Sequence, residues 1–456
     1  MQTGTQRIRL SNSGLGIVII SYLLVIFSYP MPPKIGVVEV IMGTGLTIGS
    51  LLLGFTLVMR EGKNLKLFVL CVSYFLLAPL LVGVLHSNNP SNVVRDVAPL
   101  MFMVVIPLLI ILLPQDRNTP YRLRALLLAI LTVGLVSAIQ FHYGILQIFG
   151  TMSGYVSRYG TVIPDSVLDK FVSFILRSFM LIFKNIEYTY NDDFQMLMVK
   201  CQDPAILFSA IYLLCLGLTF ILVKPRRLSF GLLALSGGWL CVYEFTALGM
   251  RAFSGLTVLS LIIYVIYLTK LKRIPKSNLI VAGILGLSLT YTQVVNFAAQ
   301  LWAKHQAAGL SSRPEELYAV FGAISESFIT LLFGVGWGGL LINPIYQGST
   351  SRFTHSLISY WLLKTGVVGV AVMVLFVTLL FRRVNLGDVW ASSHRLAVFL
   401  AASSVIIIGL FFEPTYKMLS FGLIVGLLLA ELSSPSEPDR KRMPDNNSLQ
   451  PHADKL

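Results

Sequence analysis

The sequence predicts an all-α, polytopic integral membrane protein, and three observations carry that prediction. Of 456 residues, 55% are hydrophobic and only 12% are charged, against about 25% charged in soluble domains. Mean hydropathy is +0.77, more apolar surface than a soluble interior absorbs. The apolar residues fall in runs of about 18 to 25, divided by short polar or basic connectors, which is the length an α-helix needs to cross a bilayer. An outer-membrane barrel would show short alternating segments instead.

By the length rule about twelve spans follow. They lie at residues 14–30, 36–58, 65–85, 96–114, 122–145, 204–223, 228–247, 253–270, 278–294, 354–381, 395–412 and 416–432. The first follows Arg7 and Arg9 as a signal peptide would, but "SYPMPPKIG" offers no small-residue cleavage site, so the segment is expected to stay as an anchor. Five spans make up an N-terminal region, 1–145. Segment 146–203 carries too much charge to span; within it "DKFVSFILRSFMLIFKN" mixes apolar residues with Lys170, Arg177 and Lys184 at helical intervals, the pattern of an amphipathic helix in the membrane interface. Residues 204–433 hold the remaining spans and a second long connector, 295–353. The tail 434–456 is polar and proline-bearing, hence expected to be disordered.

A formal charge of +14 could point to nucleic acid, but its distribution points to membrane orientation. Arg60, Lys63 and Lys66, then Arg117, Arg122 and Arg124, then Lys224, Arg226 and Arg227 fall on the side shared by both termini, as do Lys270, Lys272, Arg273, Lys276, Arg382, Arg383 and Arg440 to Arg442. The positive-inside rule makes that side cytoplasmic and puts the two long connectors outside, in the periplasm. No nucleic-acid partner is expected. Cys71, Cys201, Cys215 and Cys241 lack metal-ligand spacing and read as packing residues.

In the second connector "SSRPEELYAVFGAISESF" has the marks of a capped helix: Ser312 precedes it, Pro314 sits in its first turn, and Glu315 and Glu316 suit its positive end. The cluster Gly334, Gly336, Gly338 and Gly339 then breaks the pattern; it lacks the Lys-Ser/Thr of a nucleotide loop and is expected to form a tight turn near a substrate. Polar candidates collect on one membrane face. Arg251 ends a span, Arg313 opens the connector helix, and His355 heads the apolar run "HSLISYWLLKTGVVG", with Arg352 just before it as a secondary candidate. At 100° per residue one helical stripe would carry His355, Ser359, Leu362, Gly366 and Gly369, leaving a small-residue surface below the histidine. The paired carboxylates Asp192-Asp193 and Glu315-Glu316 have no third ligand at suitable spacing, so neither metal nor cofactor is expected. His86, His142 and His305 have no companion pattern and read as incidental. "FFEPTYKML" turns the last hairpin with Glu413, Tyr416 and Lys417 together, either as an ordinary proline turn or as an acceptor contact.

Two arginines from separate segments suit a diphosphate, whose oxygens a guanidinium grips in a fork. Diphosphate is already a good leaving group and needs charge neutralisation; an attacking hydroxyl needs a base or orienting acceptor, which histidine supplies near neutral pH. Glycan transfer from a lipid diphosphate is the matching reaction.

The stretch from His355 to Gly369 resembles, position for position, the H-[NSQ]-x9-G-x-x-[GTY] pattern of O-antigen ligases. "GMRAFSG" and "SSRPEELYAVFGAISESFITLLFGVGWGG" are similar to segments of the wider superfamily that includes O-antigen and exopolysaccharide polymerases, so the likeness covers roughly 200 to 430. Met250 stands where a small polar residue is common in that family. The resemblance implies Arg251 and Arg313 as diphosphate-binding residues and His355 as the catalytic or acceptor-orienting residue. It also implies a metal-independent, inverting transfer at the periplasmic face of a bacterial inner membrane and a helical architecture of the GT-C type. The donor would be an undecaprenyl-diphosphate-linked glycan, and the acceptor the lipid A core in a ligase or another lipid-linked glycan in a polymerase. A secondary transporter, with His355 and the arginines lining a solute path, is the rival from another class.

Overall fold

A computed structural model describes residues 2–27, 37–58, 63–113, 118–151, 188–191, 196–199, 203–223, 227–247, 250–272, 313–344, 349–382 and 384–434. Helices dominate in chain order: α1 (Gln2–Leu23), α2 (Val37–Val58), α3 (Lys63–Leu85), α4 (Pro90–Leu100), α5 (Ile106–Ile111), α6 (Thr119–Thr151), α7 (Pro204–Val223), α8 (Leu228–Ala247), α9 (Arg251–Lys272), α10 (Arg313–Ile324), α11 (Phe328–Phe333), α12 (Leu357–Phe381), α13 (Ser393–Phe411) and α14 (Leu419–Ser433). Two small antiparallel hairpins add strands to the expected all-α plan: β1 (Tyr188–Asn191) with β2 (Met196–Val199), and β3 (Leu341–Ile342) with β4 (Thr350–Ser351). Among the described residues nine helices are long and apolar enough to cross a membrane, and Val40–Gly54 and Leu419–Ser433 are shorter apolar helices. The chain is therefore an all-α polytopic membrane protein. The expected span 278–294, the amphipathic segment "DKFVSFILRSFMLIFKN", Asp192-Asp193 and the tail 435–456 lie outside the described residues.

The expected span 96–114 begins earlier than the hydropathy alone indicates. Asn89 caps α4 by accepting from the Ser91 amide, Pro90 occupies the first helical turn, and a π-helical turn over Met101–Val105 joins α4 to α5, making one apolar segment, Pro90–Ile111. That early start brings Asp96 inside the helix, where it is 2% exposed.

Aromatic packing fixes α3 against α12. Phe75 meets Trp361 edge-on at 4.9 Å and Phe376 at 5.9 Å, and Phe68 meets Phe376 at 5.7 Å, distances at which ring pairs contribute beyond plain burial. The last helix threads the centre: Gly422 and Gly426 of α14 lie so close to the Phe102 carbonyl and the Ile110 side chain that neither leaves room for a Cβ.

Between α11 and β3 the chain turns inward. Trp337, fully buried, donates from its amide to the Pro79 carbonyl at 2.9 Å and from its indole to the Phe75 carbonyl at 3.1 Å. Pro79 and Phe75 lie roughly 9 and 15 Å down α3 from Leu85 at 1.5 Å per residue. Residues 334–339 are thus a re-entrant segment whose backbone is satisfied by protein, the condition on which irregular chain is tolerated at membrane depth.

Candidate active site at the head of α12

His355 precedes α12; it is not part of it. The helix begins at Leu357, capped by Ser356, whose hydroxyl accepts from the Ser359 amide at 3.1 Å. α12 is also broken at Gly366, where φ is +63°. The expected continuous stripe from His355 to Gly369 is therefore corrected: the capping turn sets the histidine's direction, and the glycine serves a break in the helix. The residue before His355 is pinned from two sides. The Tyr416 hydroxyl donates to the Thr354 carbonyl at 2.8 Å, and the Ser359 hydroxyl donates to Thr354 Oγ1 at 2.9 Å. Tyr416 is fully buried, so the "FFEPTYKML" hairpin braces the residue before the histidine.

One face of α10 delivers the histidine's partner. Glu316, Val320 and Ile324, four residues apart, are 1%, 0% and 0% exposed. The two aliphatic residues pack with Leu341, Leu362 and Leu363, and that packing presses Glu316 onto His355. His355 Nδ1 lies 3.0 Å from Glu316 Oε1, and the His355 amide donates to Oε2 at 2.9 Å. Asn343, buried in the β3–β4 hairpin, donates to Oε1 at 2.7 Å. Glu315 points away and is exposed, as adjacent helical residues must diverge. Burial alone would raise the Glu316 pKa; the hydrogen bonds from the His355 side chain and amide, the His355 charge and the Asn343 amide outweigh it, so the pKa is lowered. A carboxylate held ionised at Nδ1 fixes the proton there in the neutral ring and makes Nε2 the basic nitrogen. His355 is 14% exposed.

α12 also carries one half of a buried ion pair. Lys364 Nζ of α12 is 2.6 Å from Asp96 Oδ2 of α4, with side chains 0% and 2% exposed. Lys364 also donates to the Gly339 carbonyl at 2.6 Å, and the Gly338 amide donates to Asp96 Oδ2 at 2.8 Å. The re-entrant glycines close on the break in α12. The Val335 and Gly336 amides donate to the Leu363 and Lys364 carbonyls at 2.8 and 3.2 Å, supplying donors that the interrupted helix cannot. Gly334, Gly336 and Gly338 have φ of +74°, +75° and +81°, and a Cβ on Gly334 would collide with the Lys364 and Thr365 backbone.

The sequence candidates are dispersed among these contacts. His355 joins Glu316, and Arg352 Nη1 lies 4.0 Å from Asp96 Oδ1. Arg251 is half-buried at the first residue of α9, and its buried Nε has no hydrogen-bond partner among the described residues. Arg313 opens α10 as expected, but its side chain lies outside the described residues. Sequence reading missed Glu316 as the histidine's partner, and with it Asn343, Asp96 and Lys364. A signal existed for two of them: Glu316 shares a helical face with Val320 and Ile324, and a lysine inside an apolar run is itself a reason to seek a counter-charge.

Comparison of the chain with protein-family models, characterised proteins and solved structures gives no match.

Proposed function

We propose that the protein transfers a glycan from an undecaprenyl-diphosphate-type lipid donor to an acceptor hydroxyl at the periplasmic face of a bacterial inner membrane. The observation that carries the reading is the His355–Glu316 dyad with its Asn343 support, set beside a chain segment that matches the ligase pattern residue for residue. A base oriented by a buried carboxylate is what activation of a hydroxyl requires. The acceptor O–H gives its proton to His355 Nε2 as its oxygen attacks the anomeric carbon. The bond from that carbon to the diphosphate oxygen breaks, and the lipid diphosphate leaves with the bonding pair. Attack opposite the leaving group inverts the anomeric centre. Glu316 stabilises the imidazolium that forms, while Arg251 and Arg313 are assigned to the diphosphate charge.

The ligase-type acceptor, a lipid A core, is preferred on the pattern match; a polymerase would use the same chemistry on a second lipid-linked unit. The topology that goes with this reading has about twelve spans in a GT-C-like arrangement, both termini cytoplasmic and two long periplasmic segments.

One feature favours a secondary transporter: the break in α12 beside the intramembrane Asp96–Lys364 pair. The groups that would coordinate a solute there are already engaged, since Val335 and Gly336 take the carbonyls at the break and Lys364 is bonded to Asp96 and Gly339. The transferase therefore stands first.

The test uses purified protein with a lipid-linked glycan and a core acceptor. His355→Ala should lower transfer by about 10²- to 10⁴-fold, the usual contribution of a positioned base. Unchanged transfer in that variant, with normal membrane insertion, would overturn the assignment.

A further inference from the structure

A cavity of about 380 Å³ opens at the far end of the bundle from His355. Tyr416, just before α14, holds the residue preceding His355, and Glu431, near the end of α14, lies 3.5 Å from His394 in the cavity wall. The 15 residues of α14, about 22 Å of helix, separate the two regions. Three helices long enough to cross a membrane frame the space: α7, α9 and α13.

Its lining has two unlike parts. Tyr212, Leu216, Phe220 and Val223 follow one another at intervals of three or four on a single face of α7, so this wall runs roughly 16 Å along the helix and is mostly apolar. The polar side chains of the lining are largely engaged with one another. His394 Nδ1 lies 3.0 Å from the Tyr212 hydroxyl and its Nε2 3.5 Å from Glu431, while the Tyr264 hydroxyl lies 2.6 Å from Thr219 Oγ1 and donates to the Ser393 carbonyl at 3.2 Å. Arg227, which also lines the cavity, is exposed and has no ion-pair partner among the described residues.

Aromatic rings mark the level of this cavity in the membrane. The Tyr267 hydroxyl donates to the Trp390 carbonyl at 3.4 Å, the two ring centroids are 6.0 Å apart, and Trp390, next to Ala391 of the lining, is exposed. Tyrosine and tryptophan collect where bilayer meets water, and Arg227 closes the basic connector that holds Lys224 and Arg226. A long apolar wall at that level, beside a cation without a partner, suits an amphipathic anion: the wall takes hydrocarbon and the guanidinium grips phosphate oxygens in a fork. A soluble phosphate compound would leave the apolar wall unused. We infer that the cavity binds one anionic phospholipid, its phosphate at Arg227 and an acyl chain against Leu216, Phe220 and Val223. The inference does not depend on the transferase reading.

Native mass spectrometry of the full-length, delipidated protein in detergent, titrated with phosphatidylglycerol, reads the affinity. Arg227→Gln should bind at least about fivefold more weakly than wild type, the share of one arginine at a membrane surface, and Arg227→Lys should fall between them. Leu216→Trp, which fills the cavity and keeps the arginine, should weaken binding to a similar degree. Arg124→Gln removes an exposed cation of another connector and should bind as wild type does; melting temperatures check that every variant folds. Unchanged affinity in Arg227→Gln or in Leu216→Trp overturns the site, as does equal binding of phosphatidylcholine by wild type. Inorganic phosphate is the second probe. A rise in melting temperature with phosphate equal to that with phosphatidylglycerol, and lost in Arg227→Gln, would overturn the lipid and assign the cavity to a soluble phosphate compound.

Discussion

At the residue scale the site turns on one carboxylate. Glu316 accepts from His355 twice and from Asn343 once, so the imidazole is held by its ring and by its own backbone. Its pKa is depressed below the ordinary 4.5, which means that between the two values the unfolded chain binds the proton and the folded chain does not. The stability Glu316 contributes is then fully present above the ordinary value and is lost as pH falls through the depressed one. Glu316→Gln should therefore lower the melting temperature near neutral pH, and the gap from wild type should close on acidification below the ordinary carboxylate value, followed by thermal unfolding across pH. A gap that does not change with pH would show that the residue acts only by packing.

At the element scale, the head of α12 is assembled from segments far apart in the chain. α4 supplies Asp96, the re-entrant glycines supply amides and a carbonyl, and α10 supplies Glu316. The ion pair holds three of these elements at membrane depth, so its halves should behave unequally. Asp96→Ala leaves a buried ammonium without its carboxylate and should destabilise by about 3–5 kcal/mol, whereas Asp96→Leu with Lys364→Met should recover most of that loss. Chemical or thermal denaturation of the three proteins in detergent measures the difference. Sequence periodicity located α10 and its first residue, because capping and the first-turn acids are local signals. It misjudged α12, because neither a helix break filled by another segment's amides nor a histidine outside the cap has a local signature.

At the scale of the whole molecule, the helix ends that carry Asn88, Asp96, Glu316, His355 and Tyr416 gather at one end of the bundle: Asn88 donates to the Val335 and Trp337 carbonyls at 3.0 and 2.9 Å, and Tyr416 reaches Thr354. The positive-inside rule predicts the basic connectors at the other end, on the cytoplasmic side. In a cysteine-free background, Ser349→Cys should react with a membrane-impermeant maleimide in intact cells or spheroplasts, and Asn385→Cys only after permeabilisation. Both positions are exposed, so equal labelling of the two would reject the orientation.

The amino-acid sequence by itself determined the fold class and where most of the long apolar helices among the described residues lie, since bilayer thickness acts on each segment separately. Only the tertiary structure decided which acid meets the histidine, that Lys364 is answered by Asp96, and that the glycine run seals a broken helix. Those are contacts between segments tens to hundreds of residues apart, and the requirement that buried polar groups find partners is met in space, where sequence spacing carries no information about it.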